Sequence, residues 1–148
     1  MIRIITLFFG VALLVTACGS RSQFDRQLVE GCRAGAEHVL QKRDPAYVLK
    51  NLNETAFGDS DIAKSGRRVT MRADIQAESG AGFPEEREII CHFEESISLA
   101  GLVYSPAFYQ IKLGNERFGR DAEGNLINDI TSFSNLSDTV AQALNNAG

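Results

Sequence analysis

Arg68-Val69-Thr70-Met71-Arg72-Ala73-Asp74-Ile75 alternates polar and apolar side chains, the period of a strand with one buried face. Ile89-Ile90-Cys91-His92-Phe93 alternates in the same way, which turns Ile89, Cys91 and Phe93 inward. The segment between them, Glu78-Ser79-Gly80-Ala81-Gly82-Phe83-Pro84, is a loop by composition, so an antiparallel pair is the economical reading. Ile97 to Tyr104 is expected as a third strand, and Phe108 to Leu113 as a fourth after the Ser105-Pro106 break.

Helical spacing flanks this block. From Gln23 to Lys42, Phe24, Leu28, Cys32, Ala36, Val39 and Leu40 recur every three to four residues, with Ser22 as the expected N-cap. Gly31 and Gly35 lower the helix propensity there and leave room for another element to pack close. Asp44-Pro45 predicts a short second helix to about Leu52, with aspartate as cap and proline in the first turn. Leu136, Val140 and Leu144 predict a last helix over Asn135–Leu144, capped by Ser134. The expected fold class is therefore α+β: an N-terminal amphipathic helix packed on a small antiparallel sheet of three to four strands, with a C-terminal helix.

The first residues have a different character. Arg3 is followed by an apolar run from Ile4 to Val15, interrupted only by Thr6 and Gly10, then by Ala17 and Cys18. Such a run is short for a bilayer core of roughly 30 Å and suits the apolar region of a secretory signal. Leu14-Val15-Thr16-Ala17-Cys18 resembles the lipobox of bacterial lipoproteins. The resemblance implies cleavage before Cys18 and lipidation of Cys18, whose acyl chains would make the bilayer the first partner. Two or more chains hold a protein stably, since each buried CH₂ contributes about 0.8 kcal/mol. Gly19 follows Cys18 where an inner-membrane lipoprotein of enteric bacteria carries Asp, so the resemblance favours the outer membrane. Two alternatives remain: an ordinary signal cut after Ala17, or a retained helical anchor.

On this reading residues 1–17 are a leader, 18–22 a lipidated cysteine with a short tether, and 23–148 one globular domain. Removal of the first 17 residues leaves 131 of the 148, enough for one domain. Loss of Arg3 shifts the formal net charge from −4 to −5, which argues against non-specific nucleic-acid binding. Cys32 and Cys91 then form an even pair in an oxidising compartment, and one disulfide is expected. Cys32 lies on the apolar stripe of the first helix and Cys91 on the inward face of a strand, so packing helix on sheet brings the sulfurs together.

The order of Cys32, Asp44-Pro45-Ala46, Val69–Ile75 and Ile89–Phe93 resembles a pattern of small exported bacterial α+β modules of unassigned function. It covers about Gln23 to Glu95 and implies the disulfide and the fold class, without an activity.

No motif fixes chemistry. Cys32, His38, Cys91 and His92 have the ligand types of a zinc site, but six residues of helix and adjacent strand positions point them apart. His38 reads as a solvated helix residue. His92 beside Glu94, Glu95 and many hydroxyls allows a Ser-His-acid set on paper, with no nucleophile elbow to support it. Gly80-Ala81-Gly82 lacks the helix and lysine of a phosphate loop. Lys64, Arg67, Arg68 and Arg72 are expected to face Glu85, Glu86 and Glu88 across the hairpin, the alternative being a recognition patch for an anionic partner. No catalytic residue, metal or cofactor is assigned. The expectation is a membrane-anchored envelope lipoprotein, a non-enzymatic structural or protein-interaction module with its domain in the periplasm and an envelope protein as partner. Phe83, Tyr104, Phe108, Tyr109 and Phe118 form its candidate contact surface, unless the last four fill the core. The alternative is a periplasmic enzyme or small-ligand binder built around His92.

Overall fold

In a computed structural model the chain is described over residues 5–98 and 103–148, with side chains from residue 21 onward. Five antiparallel strands lie in space in their chain order: β1 (Tyr47–Asp59), β2 (Gly66–Ala77), β3 (Glu85–Ser98), β4 (Val103–Leu113) and β5 (Glu116–Gly119). Helix α1 (Ile5–Gln41) precedes this meander and α2 (Ile130–Ala147) follows it. The α+β class with a helix at each end is as expected; the sheet has five strands rather than three to four.

Both helices cover one face of the sheet. Leu28, Cys32 and Leu40 of α1 join Val69 and Met71 of β2, Ile89, Cys91 and Phe93 of β3, Ile111 of β4 and Val140 of α2 in a single buried cluster. The helices touch through the two glycines. A Cβ on Gly31 would stand 2.7 Å from Leu144 Cδ2, and one on Gly35 would stand 3.0 Å from a Val140 methyl. Bare backbone at these positions is what lets α2 lie this close to α1.

Several expectations are corrected. Asp44-Pro45 starts no helix; the chain enters strand β1 at Tyr47. The register against β2 slips between Leu49 and Asn51 and again between Leu52 and Glu54. These irregularities break the two-residue period and leave Val48, Leu49 and Leu52 at a deceptively helical spacing. Ile97 and Tyr104 do not share a strand but face each other as partners on β3 and β4. Pro106 lies inside β4, along a stretch that β5 does not reach, because β5 pairs only with Gln110–Leu113. Proline costs no ladder bond at such an edge. Helix α1 runs through Ser22 instead of starting there. Helix α2 begins earlier than expected, at Ile130, because Asp129 caps it by accepting from Ser132 N at 2.9 Å.

Candidate functional site

The helix-free face of the sheet carries the residues that alternate with the core. Registers place Arg68 of β2 opposite His92 of β3, His92 opposite Gln110 of β4, and Gln110 opposite Gly119 of β5. One row along, Thr70, Ile90, Lys112 and Arg117 follow one another across the same four strands. The rows stay aligned because Tyr109 is skipped in the β3–β4 pairing, a bulge that turns Phe108 to the core and Gln110 to the open face.

Two loops fold back over this face. The turn after β1 is drawn down by Ser60, whose Oγ accepts from Ile62 N (3.3 Å) and Ala63 N (2.9 Å). On the other side Gln110 Nε2 donates to the Arg120 carbonyl. His92 and Gln110 are therefore buried, 6% and 4% exposed, although they point away from the core. A recess of about 390 Å³ remains between the loops, with Asp61 and Ile62 on one side, Lys112 and Arg117 on the other, and Ile90 and His92 along the strand between them.

Ser60 also sets the proton on His92. Its Oγ lies 2.9 Å from His92 Nδ1. Because that oxygen already accepts from two backbone N–H groups, its own O–H is the group left to donate. Nδ1 then accepts and neutral His92 carries its hydrogen on Nε2. Burial holds the imidazole pKa below its ordinary value; the Asp61 carboxylate, 3.7 Å from Nδ1, works against this and Arg68 adds to it. His92 is accordingly neutral at pH 7. This is no catalytic triad: hydroxyl and carboxylate approach the same ring nitrogen, and the hydroxyl is fully engaged. Glu95 is occupied elsewhere, accepting from Tyr104 Oη at 2.6 Å and from Arg21 at 3.1 Å.

Among the described residues, the cations of the recess stand among those of the chain without an ion pair, with Arg26 and Arg120 outside it. Arg21, Arg33, Arg43, Arg67, Arg72 and Arg87 each have a carboxylate within 4 Å. Among the described residues, Arg68, Lys112 and Arg117 have none. Arg72 pairs sideways with Glu54 of β1 rather than with Glu88, its register partner on β3. Among the described residues none of the ion pairs expected across the β2–β3 hairpin forms: Arg67 pairs with Asp25 of α1, and Glu85 with Arg87 of its own strand.

The other singled-out residues fall into three groups. Cys32 and Cys91 meet as expected, with sulfurs 1.98 Å and Cα atoms 5.7 Å apart, at disulfide distance between α1 and β3. The side chain of Cys18 lies outside the described residues. Of the candidate contact surface, Phe83 is 92% exposed on the β2–β3 loop. Phe108 is buried and belongs to the core; Tyr104 and Phe118 are half-buried against the core cluster, and half-buried Tyr109 turns its hydroxyl to the Asp121 carbonyl at 3.0 Å. Tyr104 also stacks on Phe24 of α1 with ring centroids 4.0 Å apart. His38 is half-buried between the helices, its Nδ1 3.1 Å from Thr139 Oγ1, and not freely solvated.

Among the described residues no His, Cys, Asp and Glu cluster is arranged to hold a metal ion, and no helix is long and apolar enough to cross a membrane. No family model matches the chain, and neither a curated protein nor a solved structure matches it. Lys112, Arg117 and Gln110 escaped the reading of the sequence. Alternation alone marks them as outward, but only the register of three strands brings them beside His92 and Arg68.

Proposed function

We propose that this chain is a lipid-tethered lipoprotein of the bacterial cell envelope, a non-enzymatic module that acts through contacts made by its exported domain. The supporting observation is the pairing of Cys32 with Cys91 inside the helix–sheet interface. It accounts for two of the three cysteines and suits an oxidising compartment, leaving Cys18 as the one for lipid attachment. Tether and contact loop would lie at opposite poles. Arg21, three residues past Cys18, bonds Glu95 near one end of β3, and Phe83 precedes Glu85 at the other end. Ten residues of strand place these ends about 30 Å apart. A membrane-held domain would thus offer the exposed Phe83 to partners away from the bilayer.

Labelling with radioactive palmitate tests the tether: the wild type should incorporate label and Cys18→Ser should not. Crosslinking in intact envelopes tests the contact: a partner band lost in Phe83→Ser supports the reading, and a solitary monomer counts against it. The recess at His92 favours a second reading, in which the tethered module holds a small ligand.

A further inference from the structure

We propose that the recess on the open sheet face is a binding site for a small oxyanion, a carboxylate or phosphate carried by a soluble molecule, held by Arg68, Lys112 and Arg117. The inference takes up the ligand-holding reading and depends on the folded domain, not on the tether, whose lipidation is tested separately.

Three observations converge. First, Lys112 and Arg117 are direct register partners on β4 and β5 and both project to the open face. Like charges directly opposite each other destabilise a sheet. Among the described residues neither has a carboxylate within 4 Å; Asp61, in the same lining, instead lies 3.7 Å from His92 Nδ1. Second, Arg68 lines the same recess from β2, two strands away; its guanidinium lies over Gly58 of β1 and would swing inward to reach a ligand. Adjacent strands are about 4.8 Å apart, so cations border the cavity from sides roughly 10 Å apart. Asp61 is the lone carboxylate of the lining, leaving a local excess of positive charge in a chain of net charge −4. Third, about 390 Å³ lies near the lower end of volumes typical of small-molecule sites, more than a lone ion fills. His92 adds a fixed element, because Ser60 reserves Nδ1 and leaves Nε2–H as the ring's donor. Charge-assisted bonds from guanidinium and ammonium groups would dominate the affinity.

The test uses the full-length protein in detergent micelles, titrated with inorganic phosphate and separately with succinate, against chloride at equal ionic strength. Binding is read by backbone amide shifts and by thermal melting. Saturable shifts centred on Arg68, His92, Lys112 and Arg117 are expected with at least one probe, and which probe saturates identifies the headgroup chemistry. Lys112→Gln with Arg117→Gln should weaken binding about ten-fold or more, whereas Lys42→Gln should leave it unchanged. Without anion the double variant should melt at or above the wild-type temperature, because the unrelieved repulsion is gone; that separates a lost site from a damaged fold. Non-saturating shifts spread over all exposed cations would overturn the proposal, as would equal affinity in the double variant.

Discussion

Arg68 and His92 are register partners on β2 and β3, so a guanidinium and an imidazole share one row of a sheet face that neither helix covers. Their nearness has a thermodynamic consequence, because it helps burial to keep His92 neutral in the folded state.

Stability should fall on acidification through the histidine range. Both histidines have folded pKa values below 6.5, His92 through burial chiefly and Arg68 besides, His38 through burial and Lys42. An unfolded chain takes up these protons first, so the stabilising contribution is complete above about pH 6.5 and is lost as pH falls through the folded values. Melting curves at pH 7.5 and 5.5 should show the drop, and His92→Gln should show a smaller one. A drop of the same size in the variant would remove His92 as a cause.

The Cys32–Cys91 link closes a loop of 59 residues. Cys32→Ala combined with Cys91→Ala, or reduction of the wild type, should lower unfolding free energy by about 2–5 kcal/mol. Denaturant titration with and without reductant measures this directly.

Gly31 is a steric requirement. Gly31→Leu would drive a side chain into Leu144 at the α1–α2 contact and should cost about 1–3 kcal/mol, despite leucine's better helix propensity. The same denaturant titration reads the loss, and an unchanged midpoint would mean that α2 does not pack at this site.

Tyr104 should ionise well above the ordinary tyrosine range. Burial raises its pKa most, followed by the hydrogen bond and charge of Glu95. Ultraviolet titration of the folded protein should show a phenol that does not ionise until the alkaline limit, and Tyr104→Phe should abolish that late component.

What the sequence disclosed follows the regularity of each element. Val69–Ile75 and Ile89–Phe93 keep an unbroken alternation, and burial follows it at every position but His92. Cys32 and Cys91 could be paired because each sat on a face whose direction was plain. Where a bulge intervened, direction was lost. Irregular pairing at Asn51 and Glu54 made β1 resemble a helix, and the skipped Tyr109 hid which way Phe108 faced. The recess was less legible still. His92 reads as an outward strand residue, yet it is buried by a turn held through Ser60, and its neighbours Arg68 and Lys112 are 44 positions apart in sequence. Such a site exists only in the register.

The most direct test of the tethered, exported module is intact-mass and peptide mass spectrometry, without reductant, of the protein isolated from the membrane fraction. The account predicts a chain beginning at an acylated Cys18, with the Cys32 and Cys91 peptides joined by a disulfide. A chain retaining Met1, or one beginning near residue 18 with no acyl mass and with free thiols at Cys32 and Cys91, would contradict it.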